Sequence, residues 1–218
     1  MVLTEEQKEI LASVRAVHGP NCKAIGASGG LFLVIRPAGQ DDRRKFNETS
    51  ARAGNNVNAN TGLSRDCTAY PEDKAKVALF EQMPFLADSL QKQIARMSGA
   101  HIEEAADLSD SESAILVKCR AANPRCIAVR CVSDGTFIVM RGVDPAERTR
   151  YSQATKLPKG FKAPDQTVAN DQMARSLILH PVGNEKTSLL DRLPFLAESI
   201  TDKGILVSGG EIEELGND

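Results

Sequence analysis

The sequence predicts an α+β protein built as two tandem repeats, each reading as helix, β-hairpin, then three to four helices. Three observations carry this. Pro84-Phe85-Leu86-Ala87-Asp88-Ser89-Leu90 returns 110 residues later as Pro194-Phe195-Leu196-Ala197-Glu198-Ser199-Ile200, with five of seven residues identical. Tyr70-Pro71 is matched at the same spacing by His180-Pro181. A glycine two residues before a phenylalanine opens an apolar run in both halves, at Gly30/Phe32 and Gly135/Phe137. The expected modules are residues 1–105 and 106–218.

In the first module, Thr4 and Gln7 have the spacing of a capping box, in which each side chain satisfies the other residue's free backbone N–H. Ile10, Leu11, Val14 and Val17 follow on one helical face, and His18-Gly19-Pro20 ends the helix. Residues 22–27, a glycine turn at Ser28-Gly29-Gly30, and residues 31–36 read as a hairpin. The run Leu31-Phe32-Leu33-Val34-Ile35 asks for cover on both faces. Residues 40–52 read as a polar helix with acids leading and bases following. Its charges are expected on a solvated face, with Phe46 as the core contact. Residues 54–62, rich in Asn and Gly, read as a loop. A short helix over 63–70 follows, then one with Pro71 as its first residue and another opened by Pro84, which carries Leu86, Leu90, Ile94 and Met97 inward.

The second module repeats that order. Residues 113–122 match the first helix and residues 126–132 the first strand. Ser133-Asp134-Gly135 is a hairpin turn and residues 136–141 the second strand, Arg141 falling on Arg36. Asp144 and Pro145 cap the next helix, in which Tyr151 falls on Phe46. A variable loop is expected over 157–164, then helices over 166–180, 185–193 and 194–203, and an acidic tail over 209–218. A lone two-stranded hairpin is marginal in water. The hairpins are therefore expected to pair with each other in one small antiparallel sheet, or each to be completed by a partner's strand. Leu31, Leu33, Ile35, Phe137 and Val139 are the residues expected at that partner or inter-repeat contact.

Composition narrows the function. Hydrophobic residues at 41% and charged residues at 26% are those of a folded soluble chain rather than a disordered one. Aromatics are 4%, without Trp, so each module must build a modest core from aliphatic residues, and packing the copies together would help. A net charge of −2 lacks the basic excess that nucleic acids and anionic membranes usually draw. No apolar run approaches the roughly 18–20 residues a membrane span needs. The acidic N-terminal stretch does not read as a secretory signal, and the chain is expected to be made and kept in the cytosol or carried out of the cell by lysis.

The residues that usually carry chemistry are poorly arranged for it. Five cysteines, an odd number at irregular spacing, argue for reduced thiols, and Cys119, Cys126 and Cys131 are badly spaced for zinc. His18, His101 and His180 form no metal-binding pattern, and His180 takes the place of Tyr70 as a packing or surface ring. Gly26-Ala27-Ser28-Gly29-Gly30 joins two strands, whereas a phosphate loop joins a strand to a helix. No serine-hydrolase elbow is present. Asp41-Asp42, Glu103-Glu104 and Glu211/Glu213-Glu214 lie in stretches that read as exposed, where paired acids cannot split their pKa values. No catalytic, cofactor or metal residue is expected.

The order of landmarks, from Thr4 to Gln7 and His18-Gly19, through Phe32 and Arg36, Phe46 and Tyr70-Pro71 to the Pro84/Leu86 helix entry, resembles the small tail-assembly-chaperone-type proteins of tailed bacteriophages. The likeness covers about one module at a time, so this chain resembles a double version. The resemblance implies a non-enzymatic virion morphogenesis protein that binds other phage structural proteins in the host cytoplasm, without nucleic acid, membrane or cofactor. Its apolar strands would cover a client's strand edge until assembly. The alternative is a structural virion protein, such as a capsid decoration, head–tail connector or tail component, using the twin module as permanent glue. A homo-oligomer is compatible with both.

Overall fold

A computed structural model describes residues 3–27, 30–51, 55–83, 85–155 and 166–210. They form an α+β structure with ten α-helices, seven short strands and two small antiparallel sheets. Two compact units divide at Ser98/Gly99.

In the first unit, α1 (Glu5–His18) begins with the expected reciprocal cap. The Thr4 hydroxyl accepts from the Gln7 N–H at 3.2 Å, and Gln7 Oε1 accepts from the Thr4 N–H at 3.0 Å. Such a cap contributes about 1 kcal/mol. β1 (Lys23–Ala27) and β2 (Leu31–Ile35) form the hairpin, Lys23 facing Ile35 and Ala27 facing Leu31. Successive side chains alternate between faces. Val34 therefore packs with Leu11, Val14 and Cys22 under α1, while Leu33 and Ile35, both 0% exposed, point to the opposite face. Then come α2 (Gln40–Ser50), α3 (Asn56–Cys67), β3 (Thr68–Tyr70), α4 (Asp73–Gln82) and α5 (Leu86–Met97).

The hairpins do not meet in one sheet. β2 is completed within its own unit by β3, with a register break between Val34 and Ile35. Three residues are too few to show a strand period, and this strand forms because the backbone groups of β2 need a partner. The expected loop over 54–62 is also corrected. From Asn56 it is helix α3, whose Ala59, Leu63, Ser64 and Cys67 are buried at helical spacing. Tertiary bonds outweigh its poor propensity. Ser64 Oγ donates to the Ala87 carbonyl at 2.7 Å, and Asn60 Nδ2 to Asp88 Oδ1 at 2.7 Å. Pro71 does not open a helix. Tyr70 is held in β3, the Tyr70–Pro71 peptide is cis, and α4 starts only at Asp73. The α2 charges are not all solvated either, since Arg43 is 0% exposed. Pro84 lies outside the described residues.

The second unit opens with β4 (Ile102–Glu104), which no sequence pattern foretold. α6 (Asp110–Ala122) follows, capped by Ser109 and Glu112 in the same reciprocal manner. β5 (Ile127–Cys131), β6 (Phe137–Met140) and, beyond α7 (Pro145–Thr155) and α8 (Gln166–Leu177), β7 (Ile178–His180) complete the sheet in the order β4-β5-β6-β7. The expected helix over 166–180 thus gives up its last three residues to β7. As in the first unit, the register breaks within the central strand, here between Val139 and Met140, and a cis peptide follows the last strand at His180–Pro181. α9 (Gly183–Arg192) and α10 (Leu196–Ile205) close the unit, the latter running into a π-type turn, Leu206–Gly210. One face of this sheet packs on α6 through Leu116, Cys126, Ala128 and Val139. The other buries Val129, Ile138 and Met140 against α8, α9 and α10. The expected loop over 157–164 and the tail beyond Gly210 lie outside the described residues.

Candidate functional site

The five residues expected at a partner contact are largely withdrawn from solvent. Leu33, Ile35 and Val139 are 0% exposed, and Leu31 and Phe137 are half-buried. One face of each hairpin lies under the first helix of its own unit. The five also come from unlike faces: Val139 and Phe137 lie under α6, whereas Leu33 and Ile35 point away from α1. The position in the first unit that matches Val139 is Val34, each lying under its unit's first helix.

The most polar constellation was signalled in sequence only by Arg141 falling on Arg36. Arg36, just past β2, holds Asp42 on α2 in a bidentate pair, Nη1 to Oδ2 at 2.7 Å and Nη2 to Oδ1 at 3.2 Å. The same two nitrogens also donate to the carbonyls of Pro37 at 3.0 Å and Asp66 at 2.9 Å. In the second unit Arg141 grips Glu147 in the same way, at 2.8 and 2.6 Å, and donates to the Gly142 carbonyl at 3.1 Å. A lysine completes each corner. Lys76 Nζ donates to the Thr68 carbonyl at 2.7 Å, and Lys186 Nζ to the carbonyls of Arg175 and Ile178 at 2.9 and 2.6 Å. These cations meet carbonyls left over at the ends of α3 and α8, where helix dipoles favour positive charge.

Electrostatics follow from this geometry. Burial pushes the Glu147 carboxyl up, but hydrogen bonds from Arg141 and the Asp144 N–H outweigh it and bring the pKa to about 2. Asp42 moves down by the same balance, burial opposed by Arg36 and the Gly39 N–H. Arg36 and Arg141 are raised by their carboxylates. Burial lowers Lys186, and the charges of Arg175 and Arg141 add to that. These carboxylates remain charged down to acid pH and accept from fixed donors, which suits a brace and not a proton-transfer group.

The cysteines and the ring of His180 are also committed to packing. All five cysteines are free thiols, four buried and Cys119 half-buried. Burial drives Cys67 up to about 12 and raises Cys22 and Cys126. A thiol of that kind is a poor nucleophile. The His180 ring lies 6.0 Å from Phe137, and Tyr70 lies 5.8 Å from Phe32 in the first unit. His101 Nε2 is 3.0 Å from Glu103 Oε1 on the surface. Among the described residues no group of three His, Cys, Asp or Glu side chains could hold a metal, and no helix is long and apolar enough to cross a membrane.

A feature missed in sequence is the exposure of the repeated Pro-Phe-Leu motif. Phe85 is 82% exposed, whereas Phe195, at the same place in the second copy of the motif, is 5% exposed. Comparison with protein-family models, curated proteins and solved structures finds no match to this chain.

Proposed function

We propose that the chain is a duplicated, non-enzymatic binding module, acting in bacteriophage morphogenesis by holding another tail or head component in the manner of a tail assembly chaperone. The observation that carries the non-enzymatic reading is the use made of the charged groups. The pairs Arg36–Asp42 and Arg141–Glu147 each tie a strand to the following helix, and each carboxylate accepts from both its arginine and a backbone N–H. Duplication is supported by the recurrence of that corner together with the capped first helix, the broken central register and the cis X–Pro step. The phage assignment rests on the resemblance of the sequence landmarks.

Affinity capture of the tagged chain from phage-infected cells is the test. Recovery of a tail or head protein in constant ratio, together with absence of the chain from purified particles, is expected. Recovery of no phage structural protein would refute the client, and a fixed copy number in finished particles would favour the structural alternative.

A further inference from the structure

Among the described residues, the second sheet has a strand that the first lacks. β5-β6-β7 correspond to β1-β2-β3 in order and register, Ile127 facing Met140 as Lys23 faces Ile35. β4 then covers the outer edge of β5, with Ile102 opposite Cys131, Glu103 opposite Arg130 and Glu104 opposite Val129. Among the described residues no strand pairs with the outer edge of β1. Its side chains are correspondingly barer. Lys23 and Gly26 are exposed and the other three half-buried, whereas three of five residues in β5 are buried. An open edge presents unpaired N–H and C=O groups to any extended segment.

A second bare patch lies at the start of the closing helix. In the second unit Leu193, Phe195 and Leu196 are 4%, 5% and 0% exposed. The chain leading into β4 lies close to this helix start. A Cβ on Gly99 would fall 3.0 Å from the Cβ atoms of Leu193 and Leu196, and Ser199 Oγ donates to the Gly99 carbonyl at 3.2 Å. In the first unit the matching residues are Met83 and Leu86, both half-buried, and Phe85, which stands out in solvent. The edge of β1 and this patch are the two places that Gly99–Glu104 covers in the second unit.

The chain carries a second copy of that covering segment. Ser98-Gly99-Ala100-His101-Ile102-Glu103-Glu104 returns as Ser208-Gly209-Gly210-Glu211-Ile212-Glu213-Glu214, 110 residues on, with five of seven residues identical. The way out of the preceding helix is the same. The Ser98 hydroxyl donates to the Ile94 carbonyl at 2.7 Å and accepts from the Ala38 N–H at 2.8 Å. The Ser208 hydroxyl donates to the Gly204 carbonyl at 2.7 Å and accepts from the Val143 N–H at 2.5 Å. Gly99 and Gly209 follow with φ of +97° and +89°, a region glycine enters at little cost. The edge of β5 is already filled by β4, so a second Ile-Glu-Glu strand has no place on its own sheet.

We propose that residues 211–215 of one copy add to β1 in the first unit of a second copy as a fourth, antiparallel strand. Ile212 lies opposite Ala27, Glu213 opposite Gly26 and Glu214 opposite Ile25. Gly209 then sits against Leu86 as Gly99 sits against Leu196, and the segment shields Phe85. The ion pair of Glu104 with Lys203, at 2.7 Å, has no equivalent, because Gln93 stands at the matching position, so backbone pairing and Ile212 carry the contact. A second copy is the occupant because Ser98-Gly99 passes its strand forward to the next unit in the chain, and its own first unit precedes the tail. Such an association is head-to-tail and leaves one open edge and one free strand at the ends of every oligomer. The inference rests on the duplication proposed above and not on the phage client.

Sedimentation of the purified full chain over a hundredfold concentration range is the test, with hydrogen exchange read at Lys23–Ala27. The expected result is a mass that rises above one chain with concentration. Deletion of residues 211–218, or Ile212→Asp in the full chain, should hold the mass at one chain and speed exchange in β1 at least tenfold. A synthetic peptide of residues 209–218 should bind the truncated chain saturably and restore the protection, and Phe85→Ala should weaken that binding. A monomer at every concentration whose β1 exchange ignores the tail overturns the proposal. A monomer whose β1 is protected by the tail overturns the second copy as occupant, since its own first unit would then hold the strand. No phage component enters this measurement, so its failure leaves client capture standing, and failed capture leaves it standing.

Discussion

Removing the charge at Glu147 should be among the costlier single changes to the second unit, and its cost should depend on pH in a defined way. The residue is 5% exposed, and both carboxylate oxygens accept from Arg141, at 2.6 and 2.8 Å. Folding takes its pKa from an ordinary 4.5 to about 2. That is a drop of about 2.5 units at about 1.36 kcal/mol each, or about 3 kcal/mol of linked stability. Because the folded pKa is the lower one, the contribution is complete above about pH 4.5 and is lost as pH falls towards about 2. Glu147→Gln should therefore cost about 2–3 kcal/mol at pH 7, with Arg141 left poorly paired at the same corner. Urea unfolding followed by hydrogen exchange in β6 would measure it unit by unit, since two units need not unfold together. The gap between variant and parent should be full at pH 7 and pH 5 and should shrink steadily between pH 4 and pH 2. A variant as stable as its parent at pH 7, or a gap that ignores pH, would refute the brace.

Three further outcomes follow from burial. Leu33→Asp and Val139→Asp put a charge where no side-chain surface reaches water, and each should cost about 4 kcal/mol or more and unfold its own unit, seen by circular dichroism. Maleimide labelling with mass spectrometry should find Cys119 modified first, and Cys67, fully buried with its pKa near 12, modified only on unfolding. Ser109→Ala removes the cap of α6 and should lower stability by about 1 kcal/mol in thermal melts, as Thr4→Ala should for α1.

What the sequence determined is what local physics determines. The capped start of α1 is written in residues three apart and its box forms as read, whereas α6, expected from residue 113, starts at Asp110 behind a Ser109/Glu112 box that was not read. The second strand of each hairpin is a continuous apolar run, and all four hairpin strands fall within a residue or two of their expected bounds. The α+β class followed from those elements. Tertiary structure decided the rest. β3, β7 and β4 have three residues each, too short for a period, and exist because a neighbouring strand offers unpaired backbone groups. The asparagine-rich stretch became α3 because Ser64 and Asn60 bond to α5 and its buried side chains line one face. Whether a charge is solvated depends on what lies across from it, so Arg43 and Asp42 could not be told from Asp41 and Arg44 by sequence alone. The Ser-Gly-x-x-Ile-Glu-Glu repeat stood in the sequence, but it acquired meaning only once β4 was seen on the edge of β5. A strand's partner is chosen by which backbone edge is open in space, and no local pattern records that.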